Sequence, residues 1–110
     1  AGEEELVRPV GIDATSFAAP LGRMSVSPNP FRAVANIQIE TESRNLTVNV
    51  YDVKGRLVST LRRPTHASAG VISFQWDGKN AAGTRVSNGI YYIRAYRGEA
   101  AVSSKVLLVR

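Results

Sequence analysis

The stretch Asp77-Gly-Lys-Asn80-Ala-Ala-Gly collects oxygen donors in a glycine-rich loop, which is the raw material of a calcium site. A twelve-residue EF-hand loop begun at Asp77 needs further acidic ligands and a bidentate Glu at its last position, where this chain has Asn88. Turn chemistry accounts better for these residues, and neither a metal nor a cofactor is expected. His66 is the single histidine. It sits in the polar run RPTHASAG, read as a loop, and no nucleophile elbow accompanies the serines. Phosphate-binding loops, zinc spacings and dinucleotide fingerprints are missing as well, so no catalytic constellation forms and an enzyme is the least favoured class.

Three tyrosines, Tyr91, Tyr92 and Tyr96, suggest an aromatic platform for sugars or bases. Neighbours in a strand point to opposite faces, so Tyr92 and Tyr96 share one face and Tyr91 takes the other. Packing in the core or across strands is the main expectation, with carbohydrate binding as the alternative. Asn45-Leu46-Thr47 fits a glycosylation sequon and Asn29-Pro30-Phe31 a peptide-docking motif, both short enough to arise by chance. Pro30 and Phe31 read instead as a corner that plugs one end of the fold.

Fourteen Lys and Arg against nine Asp and Glu give a formal charge of +5 in 110 residues. The cations are scattered, only Arg62-Arg63 being adjacent, and no nucleic-acid motif goes with them. A solvated basic surface is therefore expected, with no nucleic-acid partner. The absence of cysteine removes disulfides, thiolate metal sites and cysteine nucleophiles. The apolar run VLLV is far shorter than a membrane span of about 18 residues or more. The opening AGEEELVRPV lacks the basic and apolar regions of a signal peptide, so an exported form is expected to belong to a longer precursor.

Whatever these residues do, short strands must hold them. Residues 1–23 show no sustained period and read as a linker or loosely docked arm. From Met24 alternating runs follow at 24–27, 36–41, 46–52, 56–61, 71–77, 89–97 and 101–109, a spacing that predicts an all-β sandwich or barrel. Alternation sends Ile37, Ile39, Val48, Val50, Ile72, Phe74, Trp76, Tyr91, Ile93, Val106 and Leu108 into one core. It leaves Gln38, Asn49, Ser73, Gln75 and Arg94 facing solvent. Trp76 is the expected keystone, worth about 3–5 kcal/mol when truncated to Ala. Gly55 in VKGR supplies the turn of a hairpin over 45–61. SSKVLLVR reads as a closing strand with a basic end, which protects an edge.

In order, SPNPF, VNVYDVKGRLVSTL, GVISFQWDGKNAAGTRVSNGIYYIRA and KVLLVR resemble the C-terminal sorting domain of the type IX secretion system over residues 24 to 110. The pattern is also similar to the immunoglobulin-like domain of flagellar hook-capping proteins. The resemblance implies an immunoglobulin-like antiparallel β-sandwich of about seven strands, ending a larger secreted cargo of a Gram-negative bacterium of the Bacteroidetes. It implies recognition by the outer-membrane translocation machinery, removal by a sortase-like peptidase within Asp13 to Leu21, and attachment at the cell surface. The family's recognition stretches fall on Pro28, Asn29 and Pro30; on Asp52, Lys54, Gly55 and Arg56 with Leu57 and Val58; and on Lys105, Val106, Leu107, Leu108, Val109 and Arg110. In this reading the terminal strand adds to a receptor sheet through its backbone, with Lys105 and Arg110 lending charge selectivity. An exposed edge would also permit self-association. The competing classes are a carbohydrate-binding or accessory sandwich of a polysaccharide-degrading enzyme, and a structural module.

Overall fold

A computed structural model describes residues 21–43, 45–68 and 70–110. Eight strands run in order: β1 (Arg23–Ser27), β2 (Ala35–Glu40), β3 (Thr47–Tyr51), β4 (Leu57–Leu61), β5 (His66–Ser68), β6 (Val71–Trp76), β7 (Gly89–Arg97) and β8 (Ala100–Leu108). They form two four-stranded sheets, ordered β1-β2-β6-β5 and β4-β3-β7-β8. All the pairings are antiparallel. This is the all-β sandwich that the alternating pattern demands.

Every residue assigned to the core by alternation is buried, from Ile37 on β2 to Leu108 on β8. On β2, β3, β6, β7 and β8 these residues fall on a period of two, so a slip of one residue in any of those strands would expose its set. Trp76 stands at the centre of an aromatic cluster, 5.5 Å from the Phe31 ring and 5.1 Å from the Tyr91 ring. Its indole N–H donates to the Lys79 carbonyl at 2.9 Å, so the largest core side chain also meets its polar requirement.

Three expectations need correction. His66 does not lie in a loop but opens β5, a three-residue edge strand that pairs with Val71 to Ser73. That brings the count of strands among the described residues to eight. Asn49 is not solvated. Its amide, 7% exposed, donates to the hydroxyls of Tyr51 and Tyr96 at 2.9 and 3.3 Å and accepts from Thr60 at 2.8 Å. Side chains of β3, β4 and β7 thus cover it and supply its partners, as a buried amide requires.

The third concerns the boundary after residue 23. Arg23 already pairs with Glu40, and Leu21 is buried with its carbonyl accepting from the Thr41 hydroxyl at 2.7 Å. Between them, Gly22 passes so close that a Cβ would run into the Glu40 carbonyl oxygen. The sandwich therefore includes 21–23. The expected processing region at 13–21 lies outside the described residues, apart from Leu21, which is packed.

Candidate functional site

The sheet registers carry the three nominated stretches to one pole of the sandwich. Tyr51, at the end of β3, pairs with Tyr92 near the start of β7, and Gly89 pairs with Leu108 at the end of β8. Phe31 bridges to Leu108 in parallel sense. The turn 52–56, the corner 28–31, the loop 77–88 and the end of β8 therefore share that pole.

Corner and terminal strand interlock there. Pro28 and Pro30 both follow cis peptide bonds, and Asn29 between them behaves as a strand residue would. Its carboxamide donates to the Lys105 carbonyl at 3.1 Å and accepts from the Leu107 N–H at 3.0 Å. Phe31 continues the pairing, its N–H donating to the Leu107 carbonyl and its carbonyl accepting from the Val109 N–H, both at 2.9 Å. Further back, the Leu21 N–H reaches the Ala101 carbonyl at 3.4 Å. The outer edge of β8 is thus covered at 105–109, and the stretch around Ser103 is left open among the described residues. Addition of 105–110 to another sheet would first have to displace Asn29 and Phe31, which corrects the strand-addition mechanism expected above.

Burial divides the terminal stretch further. Val106 and Leu108 are core residues, whereas Lys105, Val109 and Arg110 are exposed and Leu107 is half-buried. Arg110 is anchored rather than trailing: its guanidinium donates to the carbonyls of Val86 at 2.6 Å and Gly78 at 2.9 Å. Its backbone N–H donates to the Asn88 side chain at 3.1 Å. Asn88, the position that failed as a calcium ligand, caps the last strand instead.

The hairpin turn has an internal counterpart. At Asp52 the N–H donates to the Arg56 carbonyl, the carbonyl accepts from the Gly55 N–H, and Oδ1 accepts from the Lys54 and Arg56 N–H groups. At Asn80 the same four bonds run to Thr84, Gly83, and the N–H groups of Ala82 and Thr84. Gly55 and Gly83 hold matching φ values of 82° and 84°, the left-handed residue that a three-residue hairpin loop places there. Asp52 and Gly55 are therefore parts of the turn. What sets 52–56 apart is the exposed charge of Lys54 and Arg56, with Arg56 Nε 2.9 Å from Asp52 Oδ2. The bond from the Arg56 backbone holds the Asp52 carboxyl below the usual carboxylate range, opposed by desolvation and helped by the bonds from the Arg56 side chain and the Lys54 backbone and by the Arg56 charge.

Tyr91 fills the same pole from inside. Its hydroxyl donates to the Ser87 carbonyl at 2.6 Å, and burial pushes its phenol up, helped by the Asp52 charge and opposed by Arg110. On the outer face of β7 the other two tyrosines form no open pair. Arg94 lies 5.4 Å over the Tyr96 ring, whose hydroxyl meets Asn49, while Tyr92 is 41% exposed.

Comparison with known proteins places this arrangement. Residues 31–100 match the family model described as the FlgD Ig-like domain. Over 67 residues the chain is 37% identical to the basal-body rod modification protein FlgD of Salmonella typhimurium, and equally to that of Salmonella typhi. The match covers 61% of this chain and 27% of those relatives. Among solved structures it superposes on dimeric latent PorU from Porphyromonas gingivalis with a TM-score of 0.63 and 29% identity, over 78% of this chain and 9% of that one. PorZ of the same organism, a surface component of the type IX secretion system, superposes with a TM-score of 0.55 and 21% identity, over 79% of this chain and 11% of that one. The chain spans about a quarter of the FlgD relatives and about a tenth of the two solved chains.

Proposed function

The chain belongs to the FlgD Ig-like domain family, and from that premise we propose that it is a non-catalytic sorting domain for type IX secretion. It would end a larger cargo, be read by the outer-membrane machinery and be processed upstream for display at the cell surface. The observation that carries this reading is the convergence of the corner 28–31, the turn 52–56 and the terminal strand on one pole. Three stretches far apart in sequence become one surface, and it is built on rigid strands, so docking costs little ordering entropy. The fold shared with PorZ, itself a component of that secretion system, supports the assignment, as does the likeness to PorU.

Recognition in this reading uses exposed side chains, since the backbone edge at 105–109 is occupied. Lys54, Arg56 and Lys105 are the exposed cations of the nominated stretches that no core contact requires. Truncating Lys105 to Arg110 would remove Val106 and Leu108 from the core and confound folding with export. A reporter fusion carrying Lys54→Ala, Arg56→Ala and Lys105→Ala in a type IX host separates the two. Loss of export with a Tm close to the parent's is expected, since the exposed pair of Arg56 with Asp52 is worth little, and normal export would overturn the proposal.

The 37% identity to FlgD favours a second reading, a structural module within a longer protein. Under it the parent domain fused to the reporter already fails to carry it out of the cell.

A further inference from the structure

The same pole holds a concentration of charge of which only Arg110 serves the fold or the sorting reading. Arg32, Lys79, Arg85 and Arg110 line one cavity of about 410 Å³, together with Ala33 and a single acid, Asp77. Lys79 and Arg85 stand opposite each other across an isolated antiparallel bridge, a placement in which like charges repel. Among the described residues the ion pair formed is that of Arg56 with Asp52, and none of their carboxylates lies within ion-pair distance of the four cations. Asp77 is turned to local use, its Oδ1 accepting from the Lys79 N–H at 3.2 Å.

The cluster is also held in place. The turn 80–84 is fixed by four hydrogen bonds, which sets the positions of Lys79 and Arg85 on either side of it. Arg110 is clamped by the carbonyls of Val86 and Gly78, which orient its guanidinium without neutralising it. A concave site lined by several cations, one with its guanidinium fixed and none paired with a carboxylate of the described residues, lowers the potential energy of an anion and focuses it there. Guanidinium groups add forked donors that match planar or tetrahedral oxyanions.

We propose that this cavity is an oxyanion-binding site for a ligand bearing two or more phosphate or carboxylate groups. Arg32, Lys79 and Arg85 donate to the ligand, and Arg110 supplies fixed charge from the wall. The site shares Arg110 with the nominated terminal stretch but uses none of Lys54, Arg56 or Lys105, so the triple variant that tests sorting leaves it intact.

The test is a titration of the isotopically labelled chain, followed by amide resonances, with sodium pyrophosphate in one arm and citrate in the other. Saturable shifts confined to residues near 32–33, 77–79, 85–86 and 109–110 are expected. A response to pyrophosphate alone identifies phosphate as the group recognised, and a response to both identifies multivalent oxyanions generally. Arg32→Ala with Arg85→Ala should weaken binding at least about tenfold, as loss of charge-assisted hydrogen bonds does, while Arg94→Ala on the outer sheet face leaves it unchanged. Unshifted resonances elsewhere in the double variant verify its fold. Shifts that never saturate, that spread over the whole basic surface, or that survive the double variant would overturn the proposal.

Discussion

Asn29 and Lys105, separated by 76 positions in the chain, are joined by a 3.1 Å hydrogen bond from the side-chain amide to the main-chain carbonyl. With the return bond from the Leu107 N–H, one side chain supplies both a donor and an acceptor to the edge of β8, as a neighbouring strand would. An unpaired edge is a template for association. Asn29→Ala should therefore cost about 1–2 kcal/mol in denaturant unfolding and introduce concentration-dependent self-association, read by size-exclusion chromatography. Asn29→Asp keeps the acceptor for Leu107 and loses the donor to Lys105, so an intermediate loss is expected. A monomeric Ala variant of parental stability would show that the corner does not guard the edge.

Acid titration isolates the role of Asp52. Its folded carboxyl lies below the ordinary value of 3.8, so its ionised form stabilises the fold. That contribution is complete above about 3.8 and is lost as pH falls through the lower folded value. Asp52→Asn removes the charge, yet Asn80 demonstrates that an amide supports the same turn. The variant should keep its hairpin at neutral pH, and any stability gap from the parent should close as pH drops below that range. Urea midpoints for both proteins from neutral to acid pH decide it, and a gap that widens in acid would contradict the assignment.

How far the sequence carries depends on the distance over which a residue finds its partners. The core was legible because burial follows a local period of two, and Ile37, Val50, Phe74 and Ile93 each sit in a run that declares it. Turn chemistry was legible at Gly55 and in the run Asp77 to Gly83, but the likeness of the turns at Asp52 and Asn80 emerged only from their matching hydrogen bonds. β5 was hidden because His66-Ala67-Ser68 has no apolar alternation, and its strand character comes from pairing with β6. The site was legible only as separate stretches. Its interlock rests on Asn29, Phe31 and Arg110 meeting partners 22 to 78 positions away, which no local pattern signals.

Asn49 illustrates the same limit and can be tested directly. Alternation puts it on the outer face, but Tyr51, Thr60 and Tyr96 close over it and take its donor and acceptor. Asn49→Ala leaves those hydroxyls without their partner and should cost about 1–3 kcal/mol. Asn49→Asp places a charge in a nearly closed site, where it lacks the amide donors, and should cost more at neutral pH than in acid, where the carboxyl is protonated. Equal losses at both pH values would mean that the site is wetter than its burial indicates.

Arg110 separates charge from geometry. Its two guanidinium bonds and its backbone bond to Asn88 tie the end of the chain to the loop 77–88, through Val86, Gly78 and Asn88. Arg110→Lys keeps the charge, but a single ammonium cannot reproduce a fork spanning two carbonyls. Amide hydrogen exchange in 78–88 should then rise, while the centres of β3 and β7, whose protection reports global unfolding, change little. Lys at this position should also retain most of any anion affinity of the adjoining cavity at low salt, because field depends on charge more than on orientation. Arg110→Ala should lose both. If Lys restores loop protection as well, the fork is not what holds the loop, and the backbone bond to Asn88 must carry that role alone.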